Sequence, residues 1–471
     1  MFRNTKITLA AVFSILLFTP FVKYPALQAQ TSQTLYFMDR IPQSSLLNPA
    51  YQPDHDFYIG IPLFSSLNVN AKSNFASFND MVFKHHQYDS LISFLHPDAD
   101  PGNFISGLKE LNTIAPDLYV GILSLGYRSN NSYFTFGIAD RASVTVDMPR
   151  DMIMLGLEGN ESFIGRSADF SSFGGEMNYF REYTFGYSYD INRLFNVGGR
   201  AKLLFGKANM SFRGENMNLY TDPDSYNIRL ISKFNMDLSM PLTLVRDESG
   251  RIDQIDSHFA SDDYGTGSFL FGSRNAGMAF DAGASFRIAR EVTIFASLID
   301  LGFIGWKRDV YNLSMDADFM YEGVDISPLF DSRDDSDPVN NMVDTLKSLL
   351  YTQENSYRSG LPTRLYFGAT YAHHSGINLG LLSRTEYRKN REQVVTASLM
   401  KDISPWLAAS VSYSYMNRQY NSLGMGLTVR TGSFNFYMLT DNLASALTPY
   451  RKRNLNMWIG FNLAFGQGNT P

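Results

Sequence analysis

The chain has no cysteine in 471 residues, which excludes disulfides and thiolate-held metal ions. The oxidising compartments stay open to it, because an exported barrel does not need disulfides. It has no surplus of basic charge: 40 Lys and Arg against 46 Asp and Glu give a net −6. With no basic stripe, nothing in it is built to neutralise the phosphates of a nucleic acid. Beyond its first thirty residues it has no run of eighteen apolar residues. The nearest approach, Phe286 to Phe303, is broken by Arg287, Arg290, Glu291 and Asp300, so no segment there reads as a membrane-crossing helix. The mature chain is therefore either water-soluble or crosses a membrane as a closed barrel, where every backbone polar group is also satisfied. It has no GxSxG elbow, HExxH or phosphate-binding loop, and we read neither an enzyme nor a cofactor from it.

What the sequence does have begins with an export signal. Arg3 and Lys6 precede an apolar core from Ile7 to Phe18, and Ala29 is a small residue at a cleavage position. Twelve residues are too few to span a bilayer as a helix, and the pattern is that of a cleaved secretory signal over 1–29.

The rest is dominated by period-two alternation in a composition rich in aromatics, 37 Phe and 27 Tyr. YTFGYSYDI sets Tyr183, Phe185, Tyr187 and Tyr189 against Thr184, Gly186, Ser188 and Asp190. WLAASVSYSY sets Leu407, Ala409, Val411, Tyr413 and Tyr415 against Ala408, Ser410, Ser412 and Ser414. The final segment opposes Leu455, Met457, Ile459, Phe461, Leu463 and Phe465 to Asn456, Trp458, Gly460, Asn462 and Ala464. In DLYVGILSLGY the apolar parity switches midway, which predicts either a β-bulge near Ile122 or a strand buried on both faces. These segments run longer than the usual strands of soluble sheets. Their polar face carries Gly, Ser, Asn and Thr rather than the Lys and Glu of a solvated surface. An aromatic face for lipid and a small polar face for a crowded lumen give an all-β fold, an antiparallel transmembrane β-barrel.

Fourteen to sixteen such segments begin near 57, 116, 132, 178, 196, 226, 277, 292, 309, 361, 377, 393, 406, 422, 432 and 454. Fourteen barrel strands are expected, with sixteen as the alternative. Tight connections such as Asp190–Arg193 and Asp402–Pro405 contrast with long ones over 72–113, 143–175, 243–275 and 323–360. Short helices are expected in the long ones, at Phe104–Asn112, Val339–Tyr351 and the stretch PRDMIMLGL. No linker divides the chain, so the expected layout is signal 1–29, an N-terminal plug or lead-in segment 30–55, barrel 56–466 and tail 467–471.

Charged residues on the apparent inner face, Arg229, Lys233, Asp237, Asp281, Arg287 and Arg430, either line a polar lumen or pair and fill it. Phe104, Leu108, Leu346 and Leu349 are candidate contacts for a hydrophobic ligand under the loop helices. Adjacent histidines, His85-His86 and His373-His374, point to opposite faces of a strand and make poor chelates. The acidic run Asp331, Asp334, Asp335 and Asp337 lacks the glycine and terminal glutamate of a calcium loop. No metal site is read.

TLYFMDRIPQSSLLNPAYQP, Thr34 to Pro53, together with the barrel pattern and the ending NMWIGFNLAFG, resembles a family of uncharacterised outer-membrane barrel proteins from Bacteroidota. That family looks like a distant branch of the long-chain fatty-acid transporter fold, which also includes barrel subunits of the type IX secretion system. The resemblance implies that Asn48, Pro49 and Ala50 form a turn in a plug segment inside or beneath the barrel. Proline fixes its own φ and restricts Asn48, so this corner is rigid. It also implies outer-membrane localisation, a monomer in contact with lipid and lipopolysaccharide, and a glycosylation tripeptide at Asp89-Ser90-Leu91 and Asp344-Thr345-Leu346. Two functions are expected from it: a transport channel for small or hydrophobic molecules, or a non-transporting barrel that binds or scaffolds a secretion or cell-surface assembly.

Overall fold

The computed structural model describes residues 33–466 apart from 85–89, 94–95, 97–101, 247–251, 258–271, 273, 322–348, 389–390 and 417–419. Fourteen antiparallel strands close on themselves. They are β1 (57–60 and 67–72), β2 (Asp117–Ser129), β3 (Ser132–Pro149), β4 (Gly174–Asn192), β5 (Phe195–Thr221), β6 (Asn275–Arg287) and β7 (Val292–Trp306), followed by β8 (357–360 and 363–372), β9 (Ile377–Tyr387), β10 (Arg391–Ser404), β11 (Leu407–Met416), β12 (Tyr420–Thr431), β13 (Phe434–Thr440) and β14 (Asn454–Phe465). Each pairs with the next, and the ring is sealed by β1 against β14, with Phe57 opposite Phe465 and Leu67 opposite Ile459. Closure removes the two open edges a sheet would otherwise present.

The alternation read from the sequence is the inside and outside of this ring. Phe185, Tyr187, Tyr189, Val411, Tyr413 and Tyr415 are exposed on the outer wall, whereas Thr184, Ser188, Ser410, Ser412 and Ser414 are buried inside. The parity switch in β2 is a bulge: the register to β3 slips between Gly121 and Leu123, and one extra residue turns everything after it over. Among the described residues no helix is long and apolar enough to cross a membrane, so the strands carry any crossing.

One end of the barrel has tight turns, at 129–132, 192–195, 287–292, 404–407 and 431–434; we call it the lower end. The upper end carries the long connections. There two further strands, 228–239 and 310–321, do not enter the ring. The first pairs with the upper half of β5 and the second with the first, so β5, at 27 residues, rises well past the length of about 9–11 residues that a tilted strand needs to cross a bilayer. The sixteen alternating segments are therefore fourteen of barrel and two of a sheet standing above it. In the long connections, helices occupy Gly102–Ser106 and Arg150–Glu158. Most of the predicted helix at 339–351, the signal 1–29 and the tail 467–471 lie outside the described residues.

β1 is interrupted at 61–66, where Leu63 takes a positive φ of 64° and Ser65 and Ser66 turn inward and are buried. The backbone freed by this break is taken up by side chains and by neighbouring backbone. Ser65 O accepts from Gln43 Nε2 at 3.0 Å and Tyr437 Oη at 3.1 Å, and Ser66 O accepts from Gly121 N at 2.7 Å. In lipid, where no water can satisfy these groups, such an accounting is obligatory.

Candidate functional site

The lumen is filled from the N-terminal side of the chain. Residues 33–50 form a short helix, Gln33–Tyr36, a 3-10 turn, Pro42–Leu46, and the Asn48-Pro49-Ala50 corner, and all but Asp39, Arg40 and Leu46 are buried. Leu35, Tyr36, Phe37, Met38, Ile41 and Leu47 pack against the inward Phe295, Ile299, Tyr366, Leu382, Tyr437, Leu439 and Trp458, the largest apolar cluster described. Each such side chain, fully buried, contributes about 1.5–3 kcal/mol.

Polar contacts fix the position of this plug. The Asp441 carboxylate accepts the backbone N–H groups of Gln33 and Thr34, at 3.0 and 2.9 Å, and the Thr34 hydroxyl at 2.6 Å. Gln43 and Asn462 exchange amide hydrogen bonds at 2.8 and 3.0 Å. At the lower end Arg40 pairs with Asp402, and Arg430 donates to the Arg40 carbonyl. Ala50 N donates to Asn48 Oδ1 at 3.0 Å and Tyr51 N to Asn48 O at 3.0 Å, so the corner is an Asx turn inside a β-turn. Asn48 Nδ2 donates to Tyr36 Oη at 3.0 Å. The Tyr36 hydroxyl also lies 3.3 Å from Ser297 Oγ. The wall makes room with glycine: a β-carbon at Gly283 would collide with Asn48 and Pro49, and one at Gly198 with the Pro49 carbonyl.

Above the plug lies an open compartment with a cavity volume of about 140 Å³, with Leu46 and Leu47 among the residues lining it. One part of its wall is apolar, with Phe180, Ile304, Leu361 and Trp458; another is charged. The centre of the charged part is Asp300. In β7 the register to β6 slips so that Ile299 and Asp300 together face Asp281, and Asp300 takes a φ of 61°. Both residues of this bulge therefore point inward and are buried. Asp300 accepts from Arg141 Nη1 at 3.0 and 3.1 Å, from Lys202 Nζ at 2.5 Å and from Arg364. Asp281 takes Asp300 N at 2.8 Å and pairs with Lys202 at 2.8 Å and Arg200 at 3.4 Å, and Glu182 pairs with Arg141 at 3.3 Å. Arg200 also donates to the Ser45 carbonyl, joining the network to the plug.

Of the residues singled out in the sequence, Asp281 and Arg430 stand inside the barrel. Arg229, Lys233 and Asp237 lie on the sheet above it, where Arg229 pairs with Asp318 and Lys233 with Asp316, and Asn312 donates to Asp237. Arg287 is exposed at the lower end of β6. None of these four joins the interior network, because two of the alternating segments belong to the upper sheet and a third ends at a turn. Phe104 and Leu108 are buried with Phe75 and Ala76 in a satellite core packed by Met148, Ile153 and Leu157, so they present no face to the compartment. Leu349 is exposed; Leu346, Thr345, His85, His86 and the acidic run 331–337 lie outside the described residues. Ser90 is described only as an exposed bend. His373 and His374 sit at a lower turn with their rings 3.9 Å apart, and among the described residues no three acidic or histidine groups gather to hold a metal ion. Sequence reasoning missed Arg141, Glu182, Lys202, Asp300 and Arg364 as a set. Its one available signal was Asp300, the single charge in the fifteen-residue strand VTIFASLIDLGFIGW.

A family of unknown function, DUF5723, matches residues 49–441. No curated protein is similar to the chain. Among solved structures it is similar to a mutant TodX monoaromatic hydrocarbon channel, at 10% identity and a TM-score of 0.45 over 93% of this chain and 95% of that one. It is also similar to the toluene transporter TbuX of Ralstonia pickettii, at 11% and 0.42 over 90% and 94%, and to a FadL homologue of Pseudomonas aeruginosa, at 9% and 0.36 over 88% and 90%. The barrel rests on its own strand pairing and not on these likenesses.

Proposed function

The chain belongs to DUF5723, a family of unknown function, and we propose that it is an outer-membrane barrel that passes a small solute through its lumen when residues 33–50 move. The observation that carries this reading is how the bore is closed. A fourteen-strand ring is too wide for its own side chains to fill, and here part of the wall facing the plug is small, at Ser412, Gly424, Gly426 and Asn462. The filling is a separate segment that enters through one chain crossing at 51–56 and is held by hydrogen bonds and by the Arg40–Asp402 pair. Removing it opens a bore, whereas removing any wall residue would not. The compartment already present over the plug is the waiting position. In this reading the lower, tight-turn end faces the periplasm and the long connections face outward, the usual asymmetry of such barrels.

The test is single-channel conductance of the refolded protein in a planar bilayer, with and without residues 30–55. We expect the full chain to be closed or to open rarely, and the deleted chain to conduct steadily. Silence of a folded, deleted chain would rule the channel out. A second reading, a barrel that binds a surface partner, draws support from the sheet of β5, 228–239 and 310–321, which stands above the ring and carries the exposed Arg229–Asp318 and Lys233–Asp316 pairs.

A further inference from the structure

The charged wall of the compartment does not present its two signs equally. In the Asp300 network the carboxylates are recessed: the side chains of Asp281 and Asp300 are 0% exposed and Glu182 5%. The guanidiniums stand in front of them, with 22% of the Arg141 side chain and 13% of Arg364 exposed. Asp300 holds both heads in place, and Arg141 also lies over the Phe180 ring, 5.3 Å from its centre. Arg364 is in register with Glu386 on β9, and Arg388 stands just past the upper end of that strand. Arg388 is exposed and lines the compartment. Among the described residues its hydrogen bond is to the Thr145 hydroxyl at 3.4 Å, and it interacts with the Glu386 carboxylate through space but forms no salt bridge with a described carboxylate. The acids that do line the space are occupied: Asp117 accepts from Asn70 at 3.1 Å, and Glu386 pairs with Arg384 at 2.6 Å.

We infer that the compartment is a binding site for a small solute bearing an oxyanion, a carboxylate or a phosphate, received by Arg364, Arg141 and Arg388. Planar guanidiniums meet such groups with two parallel hydrogen bonds, and heads already fixed by Asp300 lose little freedom on binding. The apolar side of the compartment, at Phe180, Ile304 and Trp458, takes the remainder of the molecule. This assignment rests on the compartment being open to solutes, as the proposed channel requires, but not on the plug moving.

Trp458 lines the compartment and is one of three tryptophans, so its fluorescence reports which ions enter. The probes are iodide and caesium, applied to the full chain in detergent micelles, with the Trp458 signal taken as the part lost in Trp458→Phe. Iodide should quench it about tenfold more effectively than caesium, the lower end of counter-ion enrichment in a charged cleft. Arg388→Gln, at an exposed position that no ion pair depends on, should cut the iodide effect to about half while leaving the fold intact. Phosphate or succinate, added at constant ionic strength, should protect Trp458 from iodide. Protection by one alone identifies which oxyanion the site takes, and protection by both supports a site for either. Equal quenching by the two ions, a caesium preference, no access for either, or protection by neither oxyanion overturns the site. Because the plugged protein is used, a failure here is separate from a silent bilayer experiment.

Discussion

Asp300 holds a φ of 61° in mid-strand, a torsion that Gly, Asn and Asp adopt with least strain. Its carboxylate is meanwhile the shared partner of Arg141, Lys202 and Arg364. Torsion and charge can be separated by substitution. Asp300→Asn keeps the shape and tolerates the torsion but leaves the buried Lys202 and the partly exposed Arg141 and Arg364 short of an anion, and removal of one partner from a buried network costs up to about 3–5 kcal/mol. We expect that loss in the urea midpoint of the folded barrel in micelles. Asp318→Asn, which breaks the exposed pair with Arg229 above the ring, should leave the midpoint where it was. A loss under about 1 kcal/mol at Asp300 would fall in the range of exposed pairs and would mean the network is solvated and not structural. The sequence shows Asp300 as an intruder in an apolar strand. It does not show the convergence, because Arg141, Lys202 and Arg364 come from β3, β5 and β8, and period two says which face a residue takes but not which distant residue shares its height.

At the scale of the strand, the inner and outer faces were legible because each strand is lined by two different media. Tyr413 and Tyr415 meet the outside and Ser412 and Ser414 the buried interior, and the alternation records that contrast. The break near Ile122 was legible for the same reason, but the sequence left a bulge and a strand buried on both faces as alternatives, and the register slip to β3 decides for the bulge. The upper sheet was not: strands 228–239 and 310–321 alternate as the barrel strands do, since a sheet covered on one face and exposed on the other has the same pattern as a barrel wall. Only the pairing of 228–239 with β5 above the point where β6 begins removes them from the ring. The outward face carries its own prediction. Val411 is exposed in the middle of β11, and Val411→Arg should cost about 2–4 kcal/mol near the bilayer midplane, measured by reversible urea unfolding in lipid vesicles. The same change at Trp406, exposed at the lower turn, should cost much less. Equal costs at the two depths would mean that the outer face of β11 does not meet lipid.

For the molecule as a whole, the wall and the plug are one packing problem. From the sequence alone, Ser412 and Asn462 look like lumen positions where a charge is harmless. The plug changes that. Ser412 Oγ lies 2.7 Å from Thr34 Oγ1, and Asn462 is bound to Gln43, so both sites are buried against the plug with no room for an arginine. Ser412→Arg must expel Thr34 from its place beside Asp441 and with it the start of the plug. In the full chain it should therefore destabilise, because a bulky cation forced into a packed interior costs about 1–3 kcal/mol in strain alone. In a chain lacking residues 30–55 the same side chain faces an open bore and should be nearly neutral. The difference between these two penalties, read as urea midpoints of four proteins in a double-mutant cycle, is the coupling between wall and plug. A coupling near zero would mean that residues 33–50 do not occupy the lumen in the membrane. A large one, with rare openings of the full-length Ser412→Arg channel becoming frequent, would make the displaced plug and the open channel the same event.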